Sequence, residues 1–216
     1  MVTAQIRLKP PGGTPSQRSE PDYAFDFCGN HLAIDFTNTV GDRGAGRVEH
    51  FNTFGDIIAW AEARGVISRS AAAALRQKAD ADPDAANRAW RSALAFREAL
   101  YNVIAAVSSN RRARPADLTV VNEHVGDTFK GAALARSGKG FSLETRAEEW
   151  LDPVLRPVTR AAVDLLTSDD LTKVGRCADD DCAWLFLDTT RSRTRRWCDM
   201  RSCGNRHKVR RFRGAE

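Results

Sequence analysis

The chain of 216 residues is poor in histidine, with four in all, and none of them has a second ligand-type residue at metal spacing. That leaves out the helical His-Glu-x-x-His class of metal enzyme. Paired carboxylates on an apolar wall and the nucleophile elbow of the hydrolases are also missing, so the sequence reads as a non-enzyme. No apolar run approaches the length of a membrane span. Residues 1–22 carry Arg7, Lys9 and Arg18 but no apolar stretch, which argues against a secretory signal and for a cytoplasmic chain. Two-residue cysteine spacing beside a βαβ unit, the mark of a thiol redox motif, does not occur. Gly41 to Gly46 is glycine-rich, yet it lacks the Lys-Ser/Thr of a phosphate loop and the spacing of a dinucleotide turn, and it reads as a flexible loop.

What the chain does have is concentrated near its end. Cys177 and Cys182 form one pair, Cys198 and Cys203 a second, each with four residues between sulfurs. Fifteen residues separate the pairs, enough for one β-hairpin. Such spacing suits two thiolate pairs gripping one structural Zn2+ ion with no open coordination position. The competing reading is two disulfides, and four cysteines allow three pairings that sequence does not distinguish. A reducing compartment argues for metal, as does a segment too small to bury a core unaided. Ala183–Leu187 is β-prone, Asp188–Ser192 is turn material, and Arg193–Trp197 is the expected returning strand. A closing helix is expected over Arg206–Arg213, with Asn205 as its cap and Val209 and Phe212 packed on the hairpin.

Charge follows the same division. Residues 173–216 hold 12 Lys and Arg against 6 Asp and Glu, whereas residues 1–172 are close to neutral. Between Arg191 and Arg213 arginine outnumbers lysine nine to one, and a planar guanidinium suits phosphate and guanine. The candidate nucleic-acid contacts are Arg191, Arg193, Arg195, Arg196, Arg206, Lys208, Arg210, Arg211 and Arg213. A solvated basic face, or one that meets an acidic protein, is the alternative use of the same charges.

The string Cys198-Asp199-Met200-Arg201-Ser202-Cys203-Gly204-Asn205-Arg206, with Cys177 and Cys182–Asp188 before it, resembles the CGNR zinc finger over residues 173–213. The string His31–Thr39 resembles the opening motif of the ABATE domain, which usually precedes that finger. The resemblance implies a bacterial regulator of transcription, acting in stress-induced control. It implies zinc on Cys177, Cys182, Cys198 and Cys203, and DNA binding as the family's supposed role.

Upstream, order is expected from Tyr23, after a Pro/Gly-rich tail over 1–22. Asp35, Asn38 and Thr39 cluster at the end of an apolar string. They either satisfy a turn or line a small-molecule pocket, and backbone satisfaction is the commoner use. Helices are expected from Thr53 to Gly65, over Ala71–Gln77, from Asp82 to Ser108, over Pro115–Phe129 and over Trp150–Thr167. A hairpin is expected around Ser137-Gly138-Lys139. Helix, turn and helix over 53–77 have the outline of a DNA-reading motif, but Ala71–Ala74 offers nothing to base edges, so two core helices are expected. Arg97 interrupts the apolar stripe of the longest helix, and could face an anionic ligand or a neighbouring acid.

The fold class is therefore mainly α (α+β). Residues 23–170 are expected to form a helical domain with a small β-hairpin, and residues 171–216 a four-cysteine module of hairpin plus C-terminal helix. The expected function is DNA binding through the basic module, with the helical part sensing a small-molecule signal or pairing as a homodimer. The alternatives are a structural zinc module that docks a protein partner or stabilises a dimer, and RNA binding with Trp184, Phe186 and Trp197 as stacking candidates.

Overall fold

A computed structural model of the chain describes residues 24–144 and 152–214. The tail assigned to 1–22 and the first residues of the last expected helix, Trp150 and Leu151, lie outside them.

The helical part is organised by α4 (Pro83–Ser108), packed against α1 (Leu32–Thr37), α2 (Phe54–Ala63), α3 (Arg69–Ala81), α5 (Pro115–Phe129) and α6 (Asp152–Leu166). Three of these starts carry a side-chain cap. Thr53 and Asp56 form a reciprocal capping box on α2. Ser68 Oγ accepts from Ala71 N at α3, and Asp82 accepts from Ala85 N at α4 with Pro83 in the first turn. Helix α3 runs four residues beyond the expected Gln77, to Ala81. The inward stripe of α4 includes Ala93, Arg97, Leu100 and Ile104 as expected, while Phe96 and Val103 are also buried and Val107 is exposed.

Phe36, Phe51, Trp60 and Phe96 form an aromatic centre, with ring centroids 5.4–6.0 Å apart for the contacting pairs. Helix α2 is buried along Phe54, Ile57, Ile58, Trp60 and Ala61, so the helix-turn-helix outline is a core element, as expected. The described residues also hold three two-stranded antiparallel ladders: β1 (Val40–Gly41) with β2 (Val48–Glu49), β3 (Ala133–Ser137) with β4 (Gly140–Glu144), and β5 (Val174–Arg176) with β6 (Leu185–Leu187). Gly138 at φ 57° makes the tight turn of the expected β3–β4 hairpin.

The C-terminal hairpin corrects the sequence reading. Leu185–Leu187 pairs with Val174–Arg176, which precedes the first cysteine, and not with Arg193–Trp197. Cys177 and Cys182 therefore sit in the connection of this hairpin, and 193–197 is irregular chain. Gly175 is required in the ladder, because a Cβ there would lie 2.7 Å from the Phe186 ring.

The hairpin is built into the main core. Val174, Leu185 and Leu187 join the helical hydrophobic cluster. Asn38 donates to Leu185 O (2.9 Å) and accepts from Leu185 N (3.1 Å), so its side-chain amide takes the place of a neighbouring strand. Trp184 Nε1 donates to Val40 O (2.6 Å), Tyr101 OH to Ala183 O (2.8 Å), and Leu187 N to Gly29 O (2.9 Å). The loop from Gly41 to Gly46 is docked as well. Arg43 N reaches Cys182 O and Gly44 N reaches Asp181 O, and a Cβ on Gly44 would stand 1.6 Å from Asp180 O. Glycine there lets two backbones meet, and the loop is not the free turn expected.

Candidate metal centre and basic helix

The four cysteines of the two pairs are buried, and their sulfurs all lie within 4.8 Å of one another. Cys198 Sγ is 3.6 Å from both Cys182 Sγ and Cys203 Sγ. Four sulfurs about 2.3 Å from one tetrahedral Zn2+ stand about 3.8 Å apart, so the cluster has the size that ion needs. The contacts are far longer than an S–S bond of about 2.05 Å, and all five cysteines are unbridged.

Local hydrogen bonds build the two knuckles. Cys177 N donates to Trp184 O (2.7 Å), and Asp179 O accepts from Cys182 N (3.0 Å) and Ala183 N. Ala183 turns the chain at φ 56°, a left-handed conformation costing about 1–2 kcal/mol, and its carbonyl is held by Tyr101. In the second knuckle Asp199 accepts from Ser202 N, and Met200–Gly204 form one wide helical turn before α7 (Asn205–Arg213). Four thiolates this close repel. Hydrogen bonds from Cys182 and Cys198 pull the Cys177 thiol down, Cys177 pushes Cys182 and Cys198 up, and burial pushes Cys203 up. A dication among them would let all four ionise. Trp184 and Phe186 pack on the sulfurs, and the Arg195 guanidinium covers the Phe186 ring at 4.4 Å.

Helix α7 docks differently from the expectation. Asn205 belongs to the helix, and its side chain donates to Arg201 O instead of capping. Val209 and Phe212, expected to pack on the hairpin, are 49% and 74% exposed. Charge holds the helix instead. Arg206 Nε lies 3.1 Å from the buried Asp179 carboxylate, off the hydrogen-bond axis, and Arg206 Nη2 donates to Cys203 Sγ at 3.4 Å. Arg210, one turn on, pairs with Asp181 (2.5 Å) and Asp179 (3.4 Å). The acids lie in the first knuckle, so these pairs tie the second cysteine pair's helix to the first pair's turn.

The basic residues therefore divide. Arg195 donates to Cys28 O, Trp197 O and Cys198 O, and Arg206 and Arg210, though partly exposed, are paired with acids of the module. Arg191, Arg193, Arg196, Lys208, Arg211 and Arg213 are exposed with no ion pair among the described residues. Arg201 joins them, a residue passed over in the sequence because it lies between the cysteines. The loop bearing Arg191 and Arg193 is ordered by Asp188, which accepts from Thr190 N, Thr190 Oγ1 and Arg195 N. Those bonds, Thr190's first, hold the Asp188 carboxyl below its usual range.

Of the four residues considered for a small-molecule pocket, the structure brings two together, Arg97 Nη1 donating to Thr39 Oγ1 at 3.3 Å. Asp35 accepts from Gly29 N (2.9 Å) and Arg64 Nε (2.8 Å), and burial pushes its carboxyl up to about 6 against the pull of Arg64. Asn38 holds Leu185, and Thr39 Oγ1 donates to Phe36 O. Arg97 makes a bidentate pair with Glu49, both contacts 2.6 Å. Each of the four thus has a hydrogen-bond partner within the fold.

The fold and site together define a class: a helical domain fused to a closed four-cysteine module with a basic terminal helix. Residues 30–169 match the ABATE family, described as "Putative stress-induced transcription regulator", and residues 173–215 match the CGNR zinc finger. The chain belongs to the ABATE family and carries a CGNR zinc finger at its C-terminal end. No curated protein matches it. No helix among the described residues is long and apolar enough to cross a membrane.

Proposed function

We propose that the protein is a cytoplasmic, zinc-dependent DNA-binding regulator of transcription with no catalytic step. One Zn2+ on Cys177, Cys182, Cys198 and Cys203 would hold the two knuckles together, and its role is structural because the buried set leaves no open position. The observation that carries the reading is the split among the basic residues. Arg195, Arg206 and Arg210 position the module, which leaves Arg191, Arg193, Arg196, Arg201, Lys208, Arg211 and Arg213 free for phosphate oxygens. Family membership supports a role in stress-induced regulation.

Exposed Val209, Phe212 and Met200 beside these charges favour one second reading, a docking face for an acidic protein or a second copy of the chain. RNA stacking has less support, since Trp184 and Phe186 are buried and Trp197 sits 5.5 Å from the His207 ring. The test is selection of genomic duplex fragments by the zinc-loaded chain at near-physiological salt, with Cys203→Ser as control. Enrichment of a shared short site by the zinc-loaded protein alone is the expected outcome. Equal, zinc-independent retention of everything, or no retention, would overturn it.

A further inference from the structure

A cleft of about 370 Å³ opens where the finger meets the helical part, and six arginines line it. Arg43 and Arg47 come from the β1–β2 loop, Arg111, Arg112 and Arg114 from the α4–α5 turn, and Arg176 from β5 of the finger. Few acids answer them. Arg43 (2.9 Å) and Arg47 (2.6 Å) share the single carboxylate of Glu98, which also meets Arg97 at 3.0 Å. Burial opposes ionisation of Glu98, but the bonds from Arg43, the nearby Arg97 and Arg47 outweigh it and hold the carboxyl at about 2. Asp117 is already bound by Arg114 (2.7 Å) and Asn102. Arg111, Arg112 and Arg176 are exposed with no ion pair among the described residues. Of the lining residues six are arginines and one, Asp117, is an acid; with Glu98 counted behind Arg43 and Arg47, four positive charges remain in excess.

Guanidiniums gathered without carboxylates repel one another, and a bound polyanion relieves that repulsion with bidentate bonds. Arg43 is itself fixed, only 3% exposed, bonded to Thr37 O and stacked 3.9 Å over the Tyr101 ring. The wall behind the anion is therefore set before any ligand arrives. A volume of about 370 Å³ falls in the small-ligand range of about 300–1,000 Å³. It suits a molecule with two or more phosphates better than the ridge of a duplex.

We propose that this cleft binds a small polyphosphorylated ligand, with Arg111 and Arg112 gripping it from the helical part and Arg176 from the finger. Because the ligand would touch both sides of the seam, it supplies a route by which a small molecule changes how the finger is held. This rests on the reading of the chain as a regulator and assigns its helical part the sensing role expected from the sequence, but binding in the cleft does not depend on DNA binding.

The test is isothermal titration of pyrophosphate into the zinc-loaded full chain, freed of unbound metal, at about 0.15 M salt where nonspecific contacts are screened. One saturable site is expected, weakened at least tenfold by Arg112→Ala and by Arg176→Ala and unchanged by Arg211→Ala on α7. Arg112→Lys keeps the charge but not the fork, and should recover only part of the affinity. No saturable binding would overturn the proposal. So would binding lost in Arg211→Ala but kept in Arg176→Ala, or citrate binding as tightly as pyrophosphate. Fragment retention by the same variants is scored separately, so failure of the cleft and failure of the DNA reading are told apart.

Discussion

Asn38→Ala tests whether the finger and the helical part share one cooperative core. The Asn38 side chain bonds both Leu185 N and Leu185 O, the one such partner among the described residues outside the hairpin register, and both residues are buried, at 2% and 0% exposure. Removing it leaves a donor and an acceptor with no water to replace them. Each such group costs about 1–3 kcal/mol, so the pair should cost about 3 kcal/mol. For a chain of this size that corresponds to roughly 6–12 °C in melting temperature. The assay is urea denaturation followed by tryptophan fluorescence and, in parallel, by zinc release to a chromogenic chelator. Trp60 reports the helical core and Trp184 the finger. The two signals should move together to lower urea in the variant. A loss below about 0.5 kcal/mol, or zinc release well ahead of the fluorescence change, would refute the shared core.

Other consequences follow from the same geometry. Gly44→Ala places a Cβ against Asp180 O and should break the docking of the β1–β2 loop, costing about 2–3 kcal/mol by urea denaturation; a neutral result would mean that the loop yields freely. Glu98 has a folded value of about 2 against 4.5 for a free glutamate, so its contribution is full above about pH 4.5 and disappears as pH falls to about 2. At 1.36 kcal/mol per unit this is about 3 kcal/mol, and the acid limb of the stability curve of Glu98→Gln should be flatter by that amount; an identical limb would show that the arginines do not hold its charge. Asp179→Asn removes the buried charge facing Arg206 and Arg210, so amide exchange over 205–213 should rise by tenfold or more while zinc is retained. Unchanged exchange would mean that the pairs do not position α7.

Much of this was legible where the cause is local. The caps at Thr53, Ser68 and Asp82 lie beside the helices they start, and the cysteine pairs announce a cluster by spacing alone. The β5–β6 pairing was missed because strands of three residues carry no alternation to read, and because the five residues Arg193–Trp197 offered a longer candidate. The division of the arginines was hidden for a different reason. Within one basic run nothing marks Arg206 and Arg210 as facing Asp179 and Asp181, about thirty positions earlier. Asn38 meets Leu185 across 147 positions, and the cleft gathers arginines from three segments. Partnerships of that kind exist only once the chain has folded.

The central claim, that a zinc-held finger presents its unpaired basic residues to DNA phosphates, is tested most directly by the salt dependence of duplex binding. The zinc-loaded chain should bind a duplex of about 20 base pairs with a log–log slope between about −4.5 and −6.3, as expected if about five to seven phosphates are neutralised. The double variant Lys208→Ala, Arg211→Ala should lose about two from that magnitude, while Cys203→Ser should not bind. A slope that the double variant leaves unchanged, or full affinity in the Cys203→Ser chain, would contradict the account.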